Sequence, residues 1–225
     1  IDVDLQATDK ARALLGKSRH VEKPIPSMPW QEVPAFYASL GWEARSHLAL
    51  KLLILTGVRS SNAREIRVDQ IEGDIWTIPA EDVKGRKGKT KPFRVPLVPE
   101  ALRVLDAASQ FERGGLLFAN DRGTPLSDVA VTKVLRTANL AARPHGFRKS
   151  LRNWLAEETD APHEVAEAMI GHFPDSKVVR TYRTTDFLEQ RRVLLNQWTE
   201  HVMGRTGHVI ALSGTRCAHR GHPVS

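Results

Sequence analysis

One short region of the chain carries a β-strand pattern, and this region constrains the fold more than any other sequence feature. β-branched and aromatic residues in 71–78 and 93–97 flank a charged, glycine-containing segment, which is the pattern of strands joined by a turn. The segments before and after this region carry apolar residues at helical spacing. We therefore predict a mainly α-helical domain with one small antiparallel β-sheet, an α+β fold.

Eight helices are predicted around this sheet. The first begins near Trp30, where Pro34 fits into the first turn, and the second ends at Gly57, since glycine commonly stops a helix. Residues 116–118 are compatible with a further short strand. The predicted helices cover about 30–40, 42–56, 60–66, 99–109, 127–140, 145–158, 162–171 and 185–203.

The chain divides into three parts of different character. Residues 1–28 are polar and end in a proline-spaced segment, so we predict a connector there. Residues 29–203 form the predicted packed domain. Residues 204–225 show no sustained apolar period and are predicted to be a flexible tail.

The composition favours a protein that binds a polyanion. The 225 residues are 41% hydrophobic, which is enough for a core, and the formal net charge is +7 with a pI near 9.8. Nucleic acid is the commonest polyanion that such proteins bind, although the same charge fits a merely basic soluble protein. The single cysteine, Cys217, excludes an internal disulfide and a zinc site of the CxxC type.

The sequence has neither a signal-peptide pattern at its N-terminus nor an apolar run long enough to span a bilayer. The longest apolar run, residues 48–55, is interrupted by Lys51. We predict a cytoplasmic protein without a membrane partner.

Three short segments carry residues that could perform chemistry. Arg59 follows a helix-ending glycine, His145 and Arg148 lie three positions apart on a predicted helix, and Tyr182 follows His172 by ten residues. Each has an ordinary structural explanation: a helix-terminal arginine, a capping histidine beside a surface arginine, and a tyrosine that packs its ring. A fourth element is the predicted turn, where residues 84–94 include six lysines and arginines and no acid.

Taken together, these residue types suit the chemistry of a phosphodiester. Two arginines can hold its non-bridging oxygens and stabilise the extra negative charge of the transition state. Histidines donate hydrogen bonds to the same oxygens or move a proton, and a hairpin lysine can protonate the departing sugar oxygen. A tyrosine becomes a nucleophile where positive charge favours its phenolate. The set predicts phosphoryl transfer through a phosphotyrosine without a cofactor or metal, since no carboxylate cluster accompanies the histidines as a metal-dependent nuclease would require.

The order of these elements resembles the tyrosine site-specific recombinases, the phage integrase family. The resemblance covers residues 29–203 and is carried by LTGVRSS, WTIPAEDVK, RVPL, PHGFRKSLRNWLAEE and VVRTYR. It implies the catalytic-domain fold of that family for 29–203, with 1–28 as the remnant of a connector from a missing N-terminal DNA-binding region. The implied catalytic residues are Arg59 and Arg148 as the phosphate clamp, His145 and His172 beside them, Tyr182 as the nucleophile and Lys84 as the general acid.

The resemblance also implies a reaction and its partners. The tyrosine attacks a phosphate of double-stranded DNA and leaves a 3′-phosphotyrosine and a free 5′-hydroxyl, and a 5′-hydroxyl of the partner duplex then reverses the bond. The outcome is integration or excision of a mobile element such as a prophage or genomic island. A homotetramer acts on two duplexes, the protein is a monomer without DNA, and an accessory DNA-bending or directionality protein can take part. The basic residues expected to contact DNA are Arg86, Lys87, Lys89, Lys91, Arg143, Lys149 and Arg180.

Several points stay open within this interpretation. Family members commonly carry an acid three positions after the first arginine, where this chain has Asn62. Lys84 directly follows IPAEDV, at the end of the strand-like segment, and is the first choice for the general acid, with Lys89 next. The apolar face around Leu195 and Trp198 either docks on a neighbouring protomer or packs on its own domain. A type IB topoisomerase uses a similar pocket, and a non-catalytic DNA-binding protein with a decayed site is the alternative outside the enzymes.

Overall fold

The computed structural model describes residues 25–85, 88, 90–172 and 185–205. This part of the chain contains eight α-helices, a three-stranded antiparallel sheet and several 3₁₀ turns, so the predicted α+β fold is confirmed. The predicted connector up to residue 24 and the predicted tail from residue 206 lie outside the described residues. The helices are α1 (Val33–Ser39), α2 (Arg45–Thr56), α3 (Ser60–Glu65), α4 (Pro99–Ala108), α5 (Asp128–Thr137), α6 (Phe147–Glu158), α7 (His163–Met169) and α8 (Leu188–Val202).

Helix α2 forms the centre of the domain. Every residue from Leu48 to Thr56 is buried, because a helix that is apolar on all sides must be covered on all sides. Helices α4, α5, α6 and α8 pack around it. The helix begins at Arg45, three residues later than predicted, because Ala44 is extended (φ −111°, ψ 125°). It ends as predicted at Gly57, whose left-handed backbone (φ 64°) turns the chain towards α3.

The sheet consists of β1 (Ile71–Glu72), β2 (Ile75–Ile78) and β3 (Phe93–Pro96) in sequential antiparallel order. Trp76 pairs with Val95 and Ile78 with Phe93, and all four side chains are buried. The basic segment predicted between the strands therefore joins β2 to β3. It begins at Lys84, six residues after the end of β2, so Lys84 follows a turn rather than a strand. Residues 116–118 do not form the predicted strand: Leu116 forms isolated bridges to Arg67 and Arg113, and the next two residues lie in a turn.

Helix α8 packs its apolar face against the rest of the domain. Leu195, Trp198 and Val202 are buried, and the Trp198 indole donates a hydrogen bond to the carbonyl of Ile54 in α2 (2.8 Å). Of the two alternatives for this face, the structure shows packing on its own domain. In the described ranges no helix is both long and apolar enough to cross a membrane.

Candidate active site

Arg59 lies at the entrance to α3, directly after the turn that ends α2. Its backbone is extended (φ −69°, ψ 146°), and its side chain is half-buried. Within the described part of the chain, no carboxylate or carbonyl contacts its guanidinium. Burial lowers the pKa of Arg59, because the cation has lost water without gaining a counter-charge. A half-buried arginine without a partner is well placed to accept an anion.

Arg148 lies in the first turn of α6 and is held by the ends of two other helices. One guanidinium nitrogen donates to the carbonyl of Gly57, at the end of α2 (3.1 Å), and the other to the carbonyl of Ile170, at the end of α7. Helix C-termini carry partial negative charge, so both carbonyls favour the cation. The side chain is 4% exposed, and burial followed by the charge of Arg59 lowers the pKa of Arg148 to about 10.

His145 lies in the 3₁₀ turn Pro144–Gly146 that leads into α6, and it is exposed over part of its surface. Its pKa is lowered first by partial burial and then by four positive neighbours, each of which acts on it electrostatically. These neighbours are Arg148, Arg59, Lys84 and His172. The structure thus brings five of the six predicted catalytic residues into one cluster, including the hairpin lysine that the sequence favours.

His172 follows α7 and folds back onto its last turn. Gly171 has a left-handed backbone (φ 62°), and a side chain there would meet the Phe93 ring at 3.2 Å. The turn returns the His172 amide to the Glu167 carbonyl (2.9 Å) and its ring Nδ1 to the Glu167 carboxylate (3.1 Å). Arg152 donates to the other carboxylate oxygen (2.8 Å). Burial raises the pKa of Glu167, but the hydrogen bonds from Arg152 and His172 outweigh burial, so the net shift is downward.

Glu167 and Arg152 were not predicted as site residues. The available signal is a glutamate five positions before a histidine, on a helix that ends in glycine between them. The spacing alone does not predict the contact between Glu167 and His172, because the two residues meet only where the chain reverses direction at Gly171.

Asn62, at the position where an acid is expected, is nearly buried in α3. Its amide donates a hydrogen bond to the carbonyl of Asp82 (3.1 Å), two residues before Lys84. This hydrogen bond from Asn62 therefore fixes the backbone that leads to Lys84. An aspartate could not make it, because an ionised carboxylate has no hydrogen-bond donor.

The remaining predicted residues fall into two groups. Lys91, Arg143 and Lys149 are exposed, and within the described ranges none of them pairs with an acid. The other group, which lies outside the described residues, is Arg86, Lys87, Lys89, Arg180 and the predicted nucleophile Tyr182.

The segment that carries Tyr182 joins two anchored positions. His172 precedes this segment and is hydrogen-bonded to Glu167. Asp186 follows it and accepts a hydrogen bond from Arg94 of β3 (2.9 Å). The chain's other tyrosine, Tyr37, is 4% exposed and donates to Glu100 inside the core (3.0 Å). Tyr37 is therefore unable to reach a phosphodiester.

The cluster is suited to bind and polarise a phosphodiester. Arg59 and Arg148 supply planar cations, Lys84 supplies an ammonium, and the two histidines supply ring nitrogens that can donate or accept hydrogen bonds. Among the described residues, no group of histidine, cysteine, aspartate and glutamate has the arrangement of a metal site.

Known proteins match the chain across most of its length. The family model described as "Phage integrase family" matches residues 28–189. The integrase of Enterobacteria phage P4 is 29% identical over 226 residues, which cover 90% of this chain and 51% of the relative. Prophage integrase IntA of Escherichia coli is 28% identical over 204 residues, which cover 85% of this chain and 48% of the relative. This chain therefore spans about half the length of these relatives.

A solved structure supports the fold. The lambda integrase tetramer bound to a Holliday junction aligns with a TM-score of 0.51 at 19% identity. The alignment covers 74% of this chain and 50% of that chain.

Proposed function

The chain belongs to the phage integrase family, and we propose that it breaks and rejoins DNA strands at specific sites through a covalent bond to Tyr182. The observation that carries the proposal is the cluster of positive side chains around His145. Holding one buried and one half-buried arginine close to a lysine raises the free energy of the folded chain, and a DNA phosphate bound between them would offset that cost.

The reaction follows from the charges of these groups. Arg59 and Arg148 bind the two non-bridging oxygens of the scissile phosphate and stabilise the charge that develops on them. The phenolic oxygen of Tyr182 forms a bond to phosphorus, and the bond from phosphorus to the 5′ oxygen breaks. Lys84 gives its proton to that oxygen as it leaves. A 5′-hydroxyl from the partner duplex then attacks the phosphotyrosine, so no energy-rich cofactor is consumed.

His145 is the group suited to take the proton of the tyrosine. Because burial and neighbouring cations lower its pKa, the imidazole is neutral at pH 7 and can accept a proton. His172 is suited to donate a hydrogen bond to a phosphate oxygen. Tyr182 lies outside the described residues, so this division of roles rests on the charges of the cluster alone.

The proposed substrate is double-stranded DNA, and the active assembly is a homotetramer on two duplexes that forms from monomers. The integrases of phage P4 and the Escherichia coli prophage suggest a mobile element that is integrated or excised in the bacterial cytoplasm, with an accessory bending or directionality protein. Residues 29–203 form the catalytic domain in this proposal, residues 1–28 connect it to a DNA-gripping region, and residues 204–225 form a tail.

A nicked DNA substrate tests the proposal. Nicking next to the cleaved phosphate lets the 5′-hydroxyl fragment diffuse away, so the protein–DNA adduct accumulates and survives denaturation. A pool of duplexes randomised around the nick removes the need to know the site. The native chain should give the adduct and Tyr182→Phe should give none, with DNA binding retained.

The matched control is Tyr37→Phe, which removes a hydroxyl of the same kind from the core and should leave adduct formation unchanged. An adduct at native level in Tyr182→Phe would refute the proposed nucleophile. Relaxation of supercoiled plasmid without site preference would instead indicate a topoisomerase.

The general acid is tested separately with sulfur in place of the 5′ bridging oxygen, because a thiolate leaves without a proton. Lys84→Ala should fail on ordinary DNA and cleave the sulfur substrate, whereas Arg59→Ala should fail on both. If Lys84→Ala cleaves ordinary DNA normally and Lys89→Ala shows the rescue, Lys89 is the acid.

A further inference from the structure

We propose that Glu167 is a positioning residue, which holds the ring of His172 by Nδ1 and so directs Nε2 towards the phosphate pocket. The inference rests on the proposed function for its catalytic meaning, but the placement of the ring stands on its own geometry. Glu167 lies in the last turn of α7, and His172 lies beyond the helix end.

Two contacts between these residues fix the ring. The backbone amide of His172 donates to the Glu167 carbonyl (2.9 Å), and the ring Nδ1 lies 3.1 Å from the Glu167 carboxylate. The reversal that allows both contacts needs the left-handed Gly171, whose missing side chain admits the Phe93 ring. Because backbone and side chain are bound to the same residue, rotating the imidazole away would break the side-chain bond.

The carboxylate that holds the ring is itself held. Arg152, in the middle of α6, donates to one oxygen of Glu167 (2.8 Å), which leaves the other oxygen for His172. The side chains of Arg152 and Glu167 are only 26% and 27% exposed. His163 lies 3.9 Å from the same carboxylate but is 77% exposed, so it contributes little. Helices α6 and α7 together thus fix the position of the Glu167 oxygen that accepts the hydrogen bond from His172.

The charge of Glu167 determines which ring nitrogen carries the proton. An ionised carboxylate only accepts hydrogen bonds, so Nδ1 must donate and the neutral ring presents a lone pair at Nε2. When the ring is protonated, Nε2 becomes a donor to a phosphate oxygen instead. The neutral ring can therefore accept a proton at Nε2, and only the protonated ring can donate from Nε2 to a phosphate oxygen.

Glu167 also supplies the negative charge that the cluster otherwise lacks. In the described part of the chain, no ion pair joins a carboxylate to Arg59, Lys84 or His145. The charge of Glu167 acts on Arg148 and raises its pKa, opposing the effects of burial and Arg59. Since Asn62 cannot carry a charge, the counter-charge beside this pocket comes from α7 rather than from α3.

The first arm of the test uses no DNA. Nitrogen-15 spectra of the histidine rings, recorded above the pKa of the imidazoles and assigned with His172→Gln, report which nitrogen is protonated. Native His172 should carry its proton on Nδ1, and Glu167→Ala should shift the population towards Nε2. Glu158→Gln removes an exposed acid from α6 and should leave the His172 signals unchanged. A native ring protonated on Nε2 would overturn the inference whatever the chain does to DNA.

The second arm measures single-turnover cleavage at saturating nicked DNA, together with the Kd for DNA and the thermal midpoint. Glu167→Ala should slow cleavage by about 10- to 100-fold, the range typical when the partner that orients a metal-bound histidine is removed. DNA affinity should be unchanged or tighter, and Glu167→Gln should recover part of the rate because its amide oxygen can still accept from Nδ1.

A double-mutant cycle separates positioning from a structural role. In a His172→Ala background, Glu167→Ala should cause no further loss of cleavage, because there is no ring left to position. An equal loss in both backgrounds would refute the inference. If the native chain makes no adduct while His172 is protonated on Nδ1, the proposed function fails and the placement of the ring is retained.

Discussion

Replacing Gly57 with alanine tests how the end of α2 supports the site. The Gly57 backbone is left-handed (φ 64°), and an added Cβ would lie 2.4 Å from a methyl of Leu151, which is fully buried. The left-handed conformation costs an alanine about 1–2 kcal/mol. Forcing an extra carbon into a filled core costs about 1–3 kcal/mol more. Gly57→Ala should therefore lower the free energy of unfolding by about 2–5 kcal/mol.

Gly204 supplies a matched control for the backbone contribution. Its φ is 67°, and nothing lies within 4 Å of the position that a Cβ would occupy. Gly204→Ala should cost only the backbone penalty, about 1–2 kcal/mol, in urea unfolding followed by circular dichroism. The difference between the two variants measures the contact with Leu151.

Combining Gly57→Ala with Leu151→Ala makes the result specific. Leu151→Ala alone should cost about 2–5 kcal/mol because it leaves a cavity. In the double variant the added methyl lies in that cavity, so the total should be smaller than the sum of the single effects. Strict additivity, or equal costs for Gly57→Ala and Gly204→Ala, would refute the assignment of the penalty to this contact.

Three further outcomes are expected. The Lys84 charge helps to lower the pKa of His145, so Lys84→Ala should raise that pKa towards 6.5 in an NMR titration, whereas Lys91→Ala should not change it. If Arg143 contacts a DNA phosphate, Arg143→Ala should make the plot of log K against log salt less steep by about 0.9, whereas an unchanged slope would argue against the contact. Asn62→Asp loses the N–H that binds Asp82, so it should lower the thermal midpoint and slow cleavage; unchanged values would show that this bond is dispensable.

The sequence predicts the local features of this fold better than its long-range contacts. Gly57 indicates the end of α2 because glycine adopts the left-handed conformation without the steric cost that other residues have. The extended backbone of Ala44, which places the start of α2 at Arg45, occurs at a residue without such a preference. In the same way, the motifs identify Arg148 and His172, but nothing in their spacing predicts the carbonyl of Ile170 or the carboxylate of Glu167 as their partners. Those contacts exist only after α6 and α7 have packed.

The hydrogen bonds of Arg148 make the candidate active site depend on the packing of three helices. Its guanidinium joins the last carbonyls of two helices that are far apart in the sequence, α2 and α7, while Arg148 itself belongs to a third, α6. In a partly folded chain in which α2, α6 or α7 is not yet packed, the Arg148 guanidinium lacks at least one of these hydrogen bonds and is not held in this orientation. Under the proposed function, DNA cleavage would thereby be confined to molecules that have completed folding.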